Sequence, residues 1–551
     1  MKKKAWTVVG LFCVLLFLGL ATRSEAFFID ENKTFEFSAK AQTRGAFRLQ
    51  ESDSETGNQQ GYTRNDIPAG NLVQHRNLGI IEIDHDLKSL TKDLDLLYPF
   101  KALDINSKYH VVGRFMYEGI YDYGPHKFQD ARDADKENVD DFKQSYDLWE
   151  AYLDLSRGPI FVRLGKQILA WGETDIFRLL DGINPLDNSF GGPFEDLDDR
   201  RIPLWMLRSS LNLGLVGPVS SLTLEGFFVP GKMEARVAPW PLGPDGAPYG
   251  APFPALSFSS LRNVPPDRNW AESRWGVRMQ GLVGANLNVA VAHYKSFLDN
   301  PTPHYEVIGN PPLLTDFNAL EMWWEYPEVQ VTGASMNYWE SMIDVVFRGE
   351  VAMFWKEPVF IPQINTAPLF GPTLELPPPV LDFLAGVLPV DLRDLGLNGI
   401  PINPQSGSVP RKNILRYMLG FDKSIWIRPL NKVNTFFISG QYFGQWVPDY
   451  DDRMKIPILV YPSLTKYAPV GEFEHVFTGM INTMYMKGNL QPQLAVAYDL
   501  RGAILLQPSV NFVWEPFRFM VQYSAIMGSF ANFGFFRDRD QIAIIFTYLL
   551  S

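Results

Sequence analysis

Phe35-Glu36-Phe37-Ser38-Ala39-Lys40-Ala41-Gln42-Thr43-Arg44-Gly45-Ala46-Phe47-Arg48-Leu49 alternates without a break. The odd positions are apolar or small apart from Thr43, and the even ones carry Glu36, Lys40, Gln42, Arg44 and Arg48. A helix would spread those charges over every face, whereas a strand collects them on one. At ~3.3 Å per residue the strand exceeds the usual globular length, and tilted by about 45° it crosses a bilayer with residues to spare.

The same period returns along the chain. Ile105, Tyr109, Val111, Phe115 and Tyr117 alternate with Asn106, Lys108, His110, Arg114 and Glu118. Trp275, Val277 and Met279 alternate with Arg274, Arg278 and Gln280, and Leu415, Tyr417, Leu419 and Phe421 with Arg416 and Asp422. The competing reading is a water-soluble sandwich with one wet face. Connection lengths argue against it: tight turns at 156–159, 214–218, 283–286, 428–431, 487–489 and 515–516 alternate with long connections at 50–73, 120–144, 170–202, 230–269, 298–328, 356–410 and 447–470. Short turns on one rim and long loops on the other describe an outer-membrane barrel. Two connections break the rule, a longish 88–103 among the turns and a tight turn near Arg501 among the loops. The final run, Gln541 to Ser551, resembles the C-terminal insertion strand of such barrels, with Ala543 where Gly is usual and Ser551 replacing the terminal aromatic. The expected fold is all-β: a transmembrane antiparallel up-and-down barrel of 16–18 strands, with long extracellular loops and short periplasmic turns.

Composition agrees. Among 551 residues, 14 % are aromatic, and a mean hydropathy of −0.10 is too polar for a bundle of membrane helices. The one long apolar run, Val8 to Ala21, follows Lys2-Lys3-Lys4 and precedes Ser24-Glu25-Ala26, which reads as a signal peptide cleaved after residue 26. Its removal takes away four positive residues, one negative residue and the single Cys13, so net charge falls from −12 to −15. The expected mature chain, 27–551, is exported without disulfides, and its charge excludes nucleic acid as a partner. The expected location is the outer membrane of a Gram-negative bacterium, amid its lipid and lipopolysaccharide.

Polar-inward alternation turns Arg44, Arg48, Arg114, Arg163, Arg278, Arg348 and Arg416 toward the lumen, with Glu36, Glu118, Glu150 and Glu350. There they either hydrate and cross-link the wall or form a constriction that sorts solutes by charge. Connection 356–410 is apolar and Pro-rich, with a short helix expected at 380–388 stopped by Pro389. A loop so apolar packs on the rim or in the mouth, as a plug or vestibule. Asp133-x-Asp135-x-Glu137 opens like a calcium loop but lacks the bend Gly and has Gln144 where a bidentate Glu is needed, so no metal site is assigned. The seven His residues lack zinc spacing, and neither a nucleophile elbow nor a phosphate loop occurs. No catalytic residue and no cofactor are expected.

One segment carries a resemblance. Gly165-Lys166-Gln167, then Trp171-Gly172-Glu173, then Asn184-Pro185-Leu186-Asp187, then Arg200-Arg201-Ile202-Pro203 resembles the Gram-negative family known as domain of unknown function 1302. The resemblance implies an outer-membrane barrel, often encoded near periplasmic lipid-handling proteins and membrane transporters, with no established substrate or catalytic residue. Within the strand, Lys166 shares the parity of the lipid-facing Leu164 and Ile168. Either it snorkels, or a bulge at Gly165 turns it inward; the bulge is the preferred reading. Residues 170–202 are expected to fold inward as a constriction fixed by Arg200 and Arg201 pairing with Glu173 or Asp187, against the plainer alternative of an ordinary loop. Function then divides between a channel for small, including hydrophobic, solutes and a structural or assembly barrel that anchors an envelope complex.

Overall fold

The computed structural model describes residues 27–51, 67–87, 104–134, 136–187, 195, 197–239, 260–299, 301–307, 320–359, 373–386, 399–401, 410–450, 471–529, 531–537 and 539–550. The signal segment 1–26 lies outside the described residues, as do Asp135, Pro389 and much of 356–410.

Eighteen long strands make one antiparallel sheet. They are β1 (Phe35–Arg48), β2 (Leu72–Asp86), β3 (Asn106–Glu118), β4 (Gln144–Arg157), β5 (Ile160–Gln167) and β6 (Leu204–Val216). Then come β7 (Val219–Val229), β8 (Arg274–Val283), β9 (Leu287–Phe297), β10 (Glu328–Glu340), β11 (Val345–Pro358) and β12 (Arg411–Ile425). The last six are β13 (Phe436–Trp446), β14 (Phe473–Asn482), β15 (Leu490–Asp499), β16 (Ala503–Trp514), β17 (Phe517–Gly528) and β18 (Gln541–Leu550). Each strand pairs with its successor, and β18 pairs with β1 from Ala39↔Leu550 to Arg48↔Gln541. The sheet closes and leaves no edge.

The two rims differ as the connection lengths require. One carries the turns 158–159, 217–218, 284–286, 341–344, 426–435, 483–489 and 515–516, plus the longer 87–105. The other carries the long connections and the tight 500–502. Between the rims the outer surface shows Leu164, Leu207, Val277, Val291, Val351, Leu419, Phe477, Ile504 and Ile544. Exposed Trp205, Trp275 and Trp355 stand toward the long-loop rim, and Trp339, Trp426 and Trp514 toward the short-turn rim. An apolar band between two aromatic girdles is the exterior of a transmembrane barrel, whose ladder satisfies every spanning amide internally. No described helix is long and apolar enough to cross a membrane.

Among the described residues, helices are confined to the connections. The acidic 120–144 segment, a long connection by its sequence, folds into α1 (Ile120–Tyr123), α2 (His126–Ala134) and α3 (Lys136–Lys143). Asp122 ties them, accepting from Lys143 Nζ (2.6 Å), Tyr117 Oη (2.7 Å) and Arg132 Nη1 (3.3 Å). Burial alone would raise the Asp122 carboxyl pKa; those partners outweigh it and bring the pKa below the ordinary value. After α4 (Leu197–Arg200), the apolar connection holds α5 (Pro378–Ala385). This helix begins two residues before the expected 380, because Pro378 and Pro379 occupy the first turn, where a missing N–H costs nothing. Leu381 is buried, while Val380 and Phe383 stay exposed.

Candidate functional site

Residues 168–187 leave β5 and run inside the barrel. Leu169, Trp171, Leu179, Leu180 and Ile183 are buried against the inner wall, on Met206 of β6, Phe227 of β7, Tyr294 of β9, Val331 of β10, Phe354 of β11 and Met418 of β12. Phe177 reaches β13, edge-on to Phe443 at 5.2 Å, and lies 6.5 Å from Phe533 in the connection to β18. The loop therefore spans the lumen.

Its base is a clasp built on Asn184. The Asn184 side chain accepts the Leu169 amide (2.9 Å) and donates to the carbonyls of Gln167 (3.2 Å) and Ile202 (2.8 Å). One amide thus joins both ends of the loop, a task that needs a donor and an acceptor on one planar group. Alongside, Ile202 N donates to Pro185 O (2.9 Å) and Asp187 N to Arg200 O (2.8 Å).

Trp171 fills the near side. Its ring meets Phe227 at 5.2 Å and Tyr294 at 6.2 Å, and its indole N–H donates to Glu225, whose other oxygen takes Arg208 Nε (2.9 Å) and Nη2 (2.6 Å). Gly172 lies between Asp181 and Glu350, where a Cβ would sit 3.0 Å from the Asp181 Cβ.

The tip is pinned from the opposite wall. Glu350 of β11, 3 % exposed, accepts the Glu173 amide at 2.6 Å and the Leu180 amide at 2.6 Å. Arg348, two residues earlier on the same face, donates to Glu173 O (3.0 Å), to both Asp175 oxygens (2.9 and 2.8 Å), to Asp422 (2.9 Å) and to Ser439 (3.1 Å). Gln441 Nε2 adds a bond to Asp175 at 2.9 Å. A buried carboxylate receiving two main-chain N–H groups fixes backbone, which a chance side-chain contact does not.

A second ionic set braces the middle. Arg178 donates to the carbonyls of Asp181 (2.8 Å) and Asn184 (2.6 Å) and pairs with Asp299. Arg201 pairs with Asp181, its Nε at 3.0 Å, and with Asp198. Burial raises the Asp181 carboxyl pKa, and the charges of Arg178 and Arg201 oppose that rise without cancelling it. The expected partners of Arg201, Glu173 and Asp187, are thus replaced by Asp181: the Glu173 carbonyl belongs to Arg348, across the lumen. Arg200 donates from Nη1 to the Glu195 carbonyl at 3.4 Å.

The seven wall arginines do not converge. Arg44 lies 3.9 Å from Glu195, which also pairs with Arg76. Arg48 is buried, and Arg114 lies over Trp149 at 4.1 Å. Arg163 forks onto Asp154 (2.6 and 2.8 Å), Arg278 donates to Gln280, and Arg416 grips Glu357 (2.7 and 2.8 Å) and Gln445 (2.8 Å). Of these, Arg348 touches the loop tip.

Lys166 corrects the bulge reading. Pairing is continuous on both sides of Gly165, from Ala151↔Lys166 and Trp205↔Lys166 onward. The register shift sits one strand away, where Gly113 faces Leu148 and Val112 faces Glu150, leaving Trp149 unpaired. Lys166 is buried, donates to the Leu148 carbonyl at 2.6 Å, and lies 6.0 Å from the Trp149 ring. Gly165 itself has φ +141°, and a Cβ there would drive into the Ala151 carbonyl.

Glu225, Tyr294, Asp299, Arg178, Asp181 and the Arg76–Glu195 pair escaped the sequence reading. Parity marks the wall members as inward but marks every second residue equally; what selects them is a loop more than a hundred residues away for several pairs. Among the described residues, Glu82, Asp84 and His110 could hold a cation, with His110 Nδ1 at 2.9 Å from Asp84 and 3.8 Å from Glu82.

Compared with solved structures, the chain is similar to Acinetobacter baumannii OccAB1 (10% identity, 96% of this chain and 99% of that one, TM-score 0.43). It is also similar to Pseudomonas aeruginosa OccK9 (OpdG) at 10% identity (96% and 100%, TM-score 0.46), and to a BenF-like porin from Pseudomonas fluorescens Pf-5 at 9% (95% and 100%, TM-score 0.44). No curated protein matches the sequence. Residues 7–550 match the family described as "Protein of unknown function (DUF1302)", and the chain belongs to that family.

Proposed function

We propose that this barrel is an outer-membrane transport channel for small solutes, apolar ones included, whose passage is set by the inward loop. The carrying observation is the anchoring of that loop from both walls: Asn184 at its base, Glu350 and Arg348 at its tip. Such a loop narrows the lumen to a defined shape, and the charged groups flanking it supply selection by sign. The chemistry is passage, not catalysis. Outer-membrane lipid and lipopolysaccharide surround the barrel in this reading, and periplasmic lipid-handling proteins or transporters are its partners.

The apolar packing of the loop also favours a second reading, a sealed barrel that anchors an envelope complex without conducting. Planar-bilayer recording separates the two. A channel gives steady conductance or, if closed at rest, gains it when residues 172–181 are replaced by a short Gly-Ser linker. Silence of both forms, with a stably co-purifying protein, establishes the anchor. Folding of each sample is checked by its heat-dependent shift on a denaturing gel.

A further inference from the structure

Two adjacent turns of the short-turn rim form one stiff body. The β12–β13 turn and the β14–β15 turn are stitched by Asn431, whose Nδ2 donates to Thr483 Oγ1 (3.0 Å) and Met484 O (2.9 Å). Its Oδ1 accepts the amides of Val433 and Asn434, both at 3.0 Å. Asn434 Nδ2 donates to Met484 O (2.7 Å), Thr483 Oγ1 to Thr435 O (2.8 Å), and Tyr485 Oη to Leu430 O (3.2 Å). Asn431 and Thr483 are buried, so these bonds are shielded from water.

This knuckle displays what a soluble turn avoids. Leu430 is 64 % exposed, Val433 78 % and Met486 69 %, with Trp426 and Met484 beside them. Among them stand exposed Arg428, Lys432 and Lys487, and Arg428 lies 4.7 Å over the Trp426 ring. Neither 426–435 nor 483–489 contains an Asp or Glu, in a chain of net charge −12. Local charge opposes global charge here.

We propose that the knuckle binds anionic phospholipid at the leaflet bordering the short-turn rim. Its apolar tips enter the acyl boundary, and Arg428, Lys432 and Lys487 hold headgroup phosphates. The surface continues the lipid-facing band through Trp426 and the neighbouring Trp514, so its occupant is the same bilayer. The charge selects the anionic component, and stiffness means little order is lost on binding. The inference rests on the membrane reading above.

The test uses the full chain reconstituted in vesicles of phosphatidylethanolamine with one fifth phosphatidylglycerol, extracted gently and weighed by native mass spectrometry. Wild type should retain phosphatidylglycerol above its share of the mixture. The variant Arg428→Gln/Lys432→Gln/Lys487→Gln should lose that enrichment, by about fivefold per charge. Leu430→Gln/Val433→Gln/Met486→Gln should lower retention of both lipids. An unchanged lipid ratio in the charge variant overturns the proposal, as does one-to-one co-purification of a soluble protein that depends on the same three charges. Heat-shift and bilayer-insertion checks on the same samples report the membrane reading separately.

Discussion

Toward the long loops, the inner wall is apolar and packed: Met206, Phe227, Tyr294, Val331, Phe354 and Phe443 bury themselves on the inward loop. Toward the short turns the inward face carries amides, Asn288 and Asn337 on two of those same strands and Gln491, Gln493 and Asn511 on β15 and β16, exposed or half-exposed. Asn288 and Tyr294 share one strand and one parity. The inward face is therefore predominantly polar where it meets open lumen; where a loop supplies a covering surface, the wall packs as a protein core around a few ionic anchors such as Glu225 and Glu350. Alternation specifies facing, and the loop specifies polarity.

Trp171→Ala should act most strongly on this contrast. Emptying a fully buried indole site costs about 3–5 kcal/mol, read as a lower temperature for loss of the heat-modifiable band, with higher conductance. If neither moves, the packed half is not a core. Glu350→Ala comes next. It strips the acceptor from the buried Leu180 amide, about 1–3 kcal/mol while the tip stays in place, and from the half-buried Glu173 amide, which costs less; release of the tip shows as flickering current. Glu350→Gln should recover only part of the loss, since its amide oxygen accepts one of the two N–H groups while its NH2 faces the other.

Acid should act through Glu195. Burial would raise its carboxyl, but the guanidinium groups of Arg76 and then Arg44 more than compensate, placing it below the ordinary 4.5. Its stabilisation is therefore complete above about 4.5 and lost as pH falls through the lower folded value. Below 4.5, wild type should lose thermal stability more steeply than Glu195→Gln; equal slopes would mean that the pair holds nothing. Gln493→Ala, in the amide-lined half, should be the smallest, within ~0.5 kcal/mol of wild type and visible only in conductance. A large drop in stability there would erase the distinction between the halves.

How much of this was legible follows the same line. Strand positions, closure and rim assignment are local: Phe35–Arg48 and Gln541–Leu550 state their period in their own residues. The tight turn at 500–502 and the long 87–105 were equally plain. The motif residues Trp171, Gly172, Glu173 and Asn184 marked the loop through the family resemblance. Its anchors did not announce themselves. Glu350 differs from other inward carboxylates only in having the Glu173 and Leu180 amides arrive from far along the chain. Lys166 was misread for a similar reason: the irregularity serving it lies in a neighbouring strand, at Trp149.

Closure by the first and last strands has a consequence for biogenesis. The bond from Gln42 to Thr547 joins residues 505 apart, so the seam is the last contact any growing chain can make. Until Tyr548 and its neighbours are delivered, every partial sheet presents two raw edges, each a template for wrong pairing. Non-local pairing of this span is slow to form. The barrel can therefore close only once the whole polypeptide is in place, and a chain cut short before β18 keeps the partner edge of β1 open instead of forming a smaller barrel.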